Sequence, residues 1–161
     1  MSVRVGVITV SDGVFGGHRQ DESGREIERI VTEAGGVVIE RRVVPDEIDE
    51  IKRALLHMVD SLDADLVLTT GGTGVAPRDV TPEATRDVLD KEVPGIPEAM
   101  RYFSLTKTRR AMLTRAVAGV RKQTLIVNLP GSARAVRECM EAIYPELEHA
   151  VVLIRGGPSD H

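Results

Sequence analysis

The sequence predicts an α/β fold, a three-layer α/β/α sandwich around a mostly parallel sheet with one antiparallel strand. Three observations carry that expectation. Runs rich in Val, Ile and Thr alternate with segments whose apolar residues recur at helical spacing, most strictly Ile48, Ile51, Leu55, Met58, Val59 and Leu62. Nearly every change from one pattern to the other is marked by glycine, proline or aspartate. Residues 65–70 are short and apolar, the mark of a strand covered on both faces, as parallel strands are.

Taken in order, residues 3–10 form the first expected strand, ending in Ser11-Asp12-Gly13. Ser23-Gly24-Arg25-Glu26 has the form of a capping box and opens a helix that stops at Gly35-Gly36. Residues 37–44 are rich in β-branched side chains and make the second strand, after which Pro45 and Asp46 open the amphipathic helix. Residues 65–70 are the third strand. Thr81, with Pro82 behind it, reads as an N-cap followed by the residue best suited to the first helical turn, and that helix is expected to run to about Asp90. Residues 93–97 are too punctuated for a regular element; a helix covers 97–105, and 106–113 carry no clear pattern. Residues 117–120 and 124–129 form a hairpin that supplies the antiparallel strand. Pro130-Gly131-Ser132 starts a helix to about Ile143, and Pro145 starts a last one ending near Ile154.

At 161 residues the chain suits one domain, expected over 1–155, with a flexible tail over 156–161. A formal charge of -4 gives no general attraction to nucleic acid or to an anionic membrane, so small-molecule chemistry is the default. The single cysteine, Cys139, excludes an internal disulfide framework and falls in a helix as a small apolar residue. Met1 and Ser2 lead straight into a strand, with no charged leader and no membrane-length apolar run, which places the protein in the cytoplasm.

The most informative stretch is residues 66–85, a buried strand running into Gly71-Gly72-Thr73-Gly74 and then, past Arg78 and Asp79, into a helix. Glycines at a strand-to-helix turn can serve the turn alone. Three glycines and a threonine in four residues, followed by an arginine and an aspartate, exceed that need. They suit a loop whose amides approach phosphate, with a helix N-terminus adding positive charge beyond it.

Ligands in such folds collect at the carboxyl ends of the strands. Four polar turns fall there: 11–13, 45–46, 71–79 and 128–132. The P-loop pattern is absent, because Val75 and Ala76 follow Gly74, and the dinucleotide fingerprint fails on spacing. His18, His57, His149 and His161 lack ligand-like spacing, and no glycine-flanked serine elbow occurs. Carboxylates near phosphate remain. Asp12, Asp46 and Asp79 each follow an expected strand, where they could hold Mg²⁺ against a phosphate chain. Asp12 is equally a turn former and Asp46 equally an N-cap, whereas Thr81 leaves Asp79 free for another task. Arg78 either grips phosphate oxygens or pairs with a surface acid.

Thr9-Val10-Ser11-Asp12, Pro45-Asp46-Glu47, residues 69–84, Pro94-Gly95 with Glu98-Ala99-Met100-Arg101, and residues 123–131 together resemble the Mog/MoaB molybdenum-cofactor biosynthesis family, whose domain also forms the amino-terminal part of gephyrin. The resemblance runs in order along nearly the whole chain and is most specific at Gly71-Gly72-Thr73-Gly74 and Pro77-Arg78-Asp79-Val80-Thr81-Pro82. It implies an enzyme that binds molybdopterin with Mg²⁺ and ATP as co-substrate, transfers AMP to the pterin phosphate and releases pyrophosphate. It further implies a homo-oligomer, a trimer or, in the MoaB branch, a hexamer, and a MoeA-type partner that inserts molybdate. By motif match Asp46 and Asp79 resemble the family's two essential acids and would hold Mg²⁺. Ser11 and Asp12 resemble its first pocket segment, Gly71, Gly72, Thr73 and Gly74 its phosphate cradle, with Arg78 and Thr81 beside it. Glu98, Pro130, Gly131 and Ser132 resemble further pocket positions. Thr114 stands where the family has serine. Two other readings stay open: a non-catalytic molybdopterin-binding or carrier protein of the MoaB branch, and an assembly module.

Overall fold

The computed structural model describes residues 2–158. Met1 and the end of the expected tail, residues 159–161 with His161, lie outside the described residues. The elements are β1 (Arg4–Val10), a one-turn α1 (Asp12–Phe15), α2 (Glu22–Glu33), β2 (Val37–Val44), α3 (Ile48–Leu56) running on into a π turn (His57–Ser61), β3 (Leu66–Thr70) and α4 (Thr81–Arg86). There follow β4 (Lys91–Glu92), α5 (Gly95–Leu105), a 3-10 turn (Arg109–Leu113), β5 (Ala118–Arg121), β6 (Thr124–Leu129) and α6 (Ala133–Ile154).

The six strands form one sheet in the order β2-β1-β3-β6-β5-β4. β2, β1, β3 and β6 run parallel, and β5 runs antiparallel to both of its neighbours, so one strand opposes the rest, as expected. Period-2 alternation sends successive side chains into two cores. Val5, Val7, Leu66, Leu68, Leu125 and Val127 pack with Ile27 and Val31 of α2, Met100 of α5 and Met140 and Leu147 of α6. Ile8, Val10, Val67 and Ile126 face the other way, onto Ile51, Leu55 and Met58 and onto Ala84 of α4. Each fully buried Leu or Ile contributes about 1.5–3 kcal/mol. A one-residue slip would exchange the two sets, so strand register is strongly specified.

Local expectations are corrected at four helices. α2 is capped by Asp21, whose Oδ1 accepts from Gly24 N at 3.0 Å, while Ser23 is buried inside the first turn instead of capping it. α3 opens at Ile48 with Glu47 at its cap position and no side-chain cap, which leaves Pro45 and Asp46 outside the helix. Thr81 is the first residue of α4 and not its cap, because its hydroxyl donates back to Gly71 O at 2.9 Å; Pro82 takes the first turn as expected, but the helix ends at Arg86, well before Asp90. Beyond it the exposed pair Lys91–Glu92 joins the sheet through β5, a two-residue strand too short to leave a pattern. Pro145 does not divide α6, which is continuous over 22 residues. Its missing donor lies on the exposed side, while Ile143, Tyr144, Leu147 and Val151 keep an unbroken buried stripe. No helix among the described residues is long and apolar enough to cross a membrane.

Candidate active site at the carboxyl ends of the parallel strands

The ends of β1, β3 and β6 and the turn after β2 enclose a cavity of about 610 Å³, the one the four polar turns anticipate. Ser11, Asp46, Gly71, Gly72, Asp79, Gly131 and Ser132 line it. So do Arg19, Gln20, Glu22 and Ser23 from the approach to α2, which sequence reasoning passed over.

The loop after β3 is shaped by close approach. Gly71 has φ +98° and Gly72 φ +71°. A Cβ on Gly71 would lie 2.3 Å from Val10 O, and one on Gly72 2.3 Å from Thr81 Oγ1 and 3.2 Å from Asp46 Oδ1. No other residue type fits either place without displacing backbone or hydroxyl. Gly71 N donates to Leu129 O at 3.3 Å, so this amide is already committed to the sheet. Thr70 Oγ1 donates to Pro130 O at 2.6 Å, which joins the glycine loop to the turn opening α6. Thr73 is buried, and a Cβ on Gly74 would stand 2.9 Å from Asp79 Oδ2.

Asp12 and Asp46 are locked to each other. Asp12 N donates to Asp46 Oδ2 and Asp46 N donates to Asp12 Oδ1, both at 2.9 Å. Arg78 Nε and Nη2 bind the Asp12 carboxylate at 3.0 and 3.1 Å, and Nη2 also reaches Glu47 Oε1 at 3.3 Å. Of the two roles open to Arg78, this is the ion pair, and Arg78 stands outside the cavity wall. The guanidinium, with the Asp46 amide, holds the Asp12 carboxyl below its usual range. Asp46 moves the other way. Burial pushes its carboxyl up, and the charges of Asp12 and Asp79 add to the shift. Asp79 Oδ2 accepts from Ala76 N at 3.0 Å, so its carboxylate folds the 76–79 turn as well as facing the cavity.

Among the described residues no group of three or more His, Cys, Asp or Glu gathers as a metal cage. Mg²⁺ does not require one, since it takes one or two carboxylates and completes its shell with water and substrate phosphate. The elevated Asp46 carboxyl between two other acids is an arrangement that an added cation relieves. Asp46 and Asp79 therefore fit the ion.

Of the remaining expected residues, Asp12, Gly74, Arg78, Thr81 and Pro130 stand behind the lining, tied to it by the contacts above, and Thr73 is buried with its carbonyl accepting from Arg115 N at 2.7 Å. Glu98 is exposed on α5 and is not brought to the cavity. Two supporting residues, Asp21 and Arg115, went unread, and a third, Asn128, was counted only as the start of the 128–132 turn, whereas it lies within β6. Asp21 accepts from Thr9 Oγ1 at 2.9 Å and from Arg41 Nη2 at 2.9 Å, and its Asp-x-x-Gly cap was the available signal. Asn128, fully buried, accepts from Val117 N at 3.1 Å and donates to Thr69 Oγ1 and Thr85 Oγ1 at 3.0 Å each. A polar residue inside an apolar strand was its signal. Arg115 binds the glycine loop from outside and left no local signal at all.

A family model described as a probable molybdopterin binding domain matches residues 6–149. The chain is 42% identical over 157 residues to the molybdopterin adenylyltransferase of Helicobacter pylori, covering 96% of this chain and 89% of that one. To the molybdopterin adenylyltransferase of Escherichia coli it is 42% identical over 144 residues, covering 88% and 74%. Among solved structures, the molybdopterin biosynthesis enzyme MoaB of Thermus thermophilus superposes with a TM-score of 0.91 at 51% identity, over 97% of this chain and 98% of that one.

Proposed function

The chain belongs to the molybdopterin-binding domain family, and on that premise we propose that it is a molybdopterin adenylyltransferase of molybdenum-cofactor biosynthesis, joining AMP from ATP to the terminal phosphate of molybdopterin. The observation that carries this reading is the cavity in which Gly71 and Gly72, held at positive φ, stand beside the carboxylates of Asp46 and Asp79. An oxygen of the pterin phosphate attacks the α-phosphorus of ATP. The new P–O bond forms as the bond to the β-phosphate bridge breaks, and pyrophosphate leaves with the electron pair.

Such a step brings anions together, so the work of the protein is alignment and charge compensation. Gly71 and Gly72 let the backbone come close to phosphate. The N-terminus of α6 at Ser132, whose Oγ accepts from Ala135 N at 3.1 Å, adds partial positive charge beside the glycine loop. Asp46 and Asp79 are the residues that would hold Mg²⁺, which supplies charge neutralisation to the phosphates. Asp12, braced by Arg78, keeps Asp46 in place.

The assembly is a trimer, the reaction is cytoplasmic, and a MoeA-type enzyme receives the product. Support for the trimer is an apolar patch on α5 and the 3-10 turn, where Tyr102, Leu105, Met112 and Leu113 are exposed. The deciding experiment incubates the purified protein with ATP, Mg²⁺ and molybdopterin and measures pyrophosphate. Stoichiometric pyrophosphate and adenylylated pterin are expected. Bound pterin with no pyrophosphate would replace this reading with that of a carrier.

A further inference from the structure

We infer that Arg115 is a positioning residue that clamps the 73–79 loop from outside the cavity and thereby sets the place of Asp79. The inference rests on the adenylyl-transfer reading for its kinetic consequence but not for its structural one. Residues 75–78 are exposed, and Val75 keeps 65% of its surface in solvent, so no core packing anchors this part of the loop. Arg115 anchors it from both ends. Its backbone N donates to Thr73 O at 2.7 Å, Nε donates to Gly74 O at 2.7 Å, and Nη2 donates to Asp79 O at 2.8 Å. The same guanidinium reaches across to the first turn of α4, where Nη1 meets Glu83 Oε2 at 2.5 Å and Nη2 meets Oε1 at 3.4 Å.

One side chain thus ties together the start of the loop, its end and the helix that follows. The arginine pulls the Glu83 carboxyl below its usual range, as expected of a shared charge-assisted bond. Arg115 itself does not line the cavity, so it acts through Asp79 and not on substrate. The bonds within the 76–79 turn are local, Asp79 N to Ala76 O at 2.9 Å and Ala76 N to Asp79 Oδ2 at 3.0 Å, and cannot locate it relative to the sheet. The Arg78 side chain adds one tie outward, to Asp12 and Glu47, through exposed side chains, and the carbonyls of the loop are held by Arg115. A lysine is a poor replacement for the clamp, because its three donors sit on one nitrogen, whereas Arg115 bonds Gly74 O, Glu83 and Asp79 O from three separate nitrogens.

The experiment uses the whole chain with three substitutions and two readouts. Pyrophosphate release should fall about 30-fold in kcat for Arg115→Ala with KM for molybdopterin within about twofold, since a displaced Asp79 loses alignment more than binding. Arg115→Lys should recover little of that loss. Amide hydrogen exchange at Ala76 and Asp79 should accelerate by about tenfold or more in Arg115→Ala, with exchange in β1 and β3 unchanged. Glu83→Gln keeps the arginine and removes one charge of the pair; it should give an intermediate acceleration, and it decides the matter if Arg115→Ala does not fold. Unchanged exchange at both amides overturns the clamp, as does full rescue by lysine. Asp79→Asn with normal turnover would instead overturn the reading of the site and leave the exchange result standing.

Discussion

The cavity beside Gly71 and the face built by α5 and the 3-10 turn are neighbours on one sheet and are finished in opposite ways. In the cavity nearly every polar group of the backbone turns is placed by a named partner: Asp12 with Asp46, Asp79 with Ala76, Thr81 with Gly71, Arg115 with the loop carbonyls. Its shape depends on positions that admit no side chain. On α5 and the 3-10 turn, Tyr102 is 80% exposed and Met112 65%, and a groove of about 200 Å³ beside the same elements is lined by Met100, Ala111, Ala116 and Cys139 with Arg101, Arg110 and Glu138. The first region is held in shape by polar contacts within the chain. The second leaves Tyr102, Leu105, Met112 and Leu113 exposed, apolar surface of the kind that marks a contact site.

Substitutions can separate the two regions, beginning with the largest effect. Gly71→Ala forces a Cβ to within 2.3 Å of Val10 O at φ +98°, so it should lower unfolding free energy by about 3 kcal/mol or more in denaturant titrations and abolish turnover. An alanine variant of parental stability would break the claim that strand-end proximity shapes the cavity. Asp79→Asn and Asp46→Asn should each reduce pyrophosphate release at least about 100-fold while thermal unfolding stays near parental, because they remove charge and not packing. Near-normal turnover in either variant removes that acid from the mechanism.

Asn128 braces the sheet beneath the cavity, since it bonds Val117 just before β5, Thr69 of β3 and Thr85 of α4 at once. Asn128→Ala leaves Val117 N without its acceptor and takes a donor from Thr69 Oγ1 and from Thr85 Oγ1, which still donates to Thr81 O, and should cost about 2 kcal/mol of stability by denaturant midpoint. Asp46 predicts a pH effect of known sign. Its folded-state carboxyl is raised above 3.8, so the folded protein holds that proton more tightly than the unfolded chain. Stability from this group is therefore lost as pH rises from the ordinary carboxylate value through the raised one. Asp46→Asn should accordingly raise unfolding free energy at neutral pH, by less than about 1 kcal/mol after solvent screening. On the proposed role of Asp46 in holding Mg²⁺, adenylyl transfer should decline as pH falls through the same window. Leu113→Ser is the smallest change for the chain itself, within about 0.5 kcal/mol of parental stability. It sharpens the contrast if sedimentation shifts from trimer toward monomer, and it dissolves the contrast if sedimentation is unchanged.

Much of this was open to inspection in one dimension. Alternating Val, Ile and Thr runs with amphipathic segments are local signals, so β2 is found at residues 37–44 as expected and the β5–β6 hairpin with its single reversed strand is in place. Gly71-Gly72 and the acids at strand ends were legible because turns and helix starts have composition of their own. Thr81 and Pro145 misled for a common reason. Each carries a strong local preference, for capping or for breaking, that a distant partner overrides: Gly71 O for the hydroxyl, and a continuous buried stripe for the helix.

Arg115 shows the other limit. Its partners are 32 to 41 residues away, and no periodicity links residues 115, 83, 79 and 74. The amino-acid order by itself settled the four parallel strands, the main helices and the hairpin, most of the turns, and that acids and glycines crowd the strand ends. Only the tertiary structure decided which arginine braces which acid and that Asp46 and Asp79 share one cavity with Ser132. Local patterns follow from bond geometry and solvent exclusion within a few residues, whereas pairings of charged side chains are chosen by whatever packing brings within 3 Å.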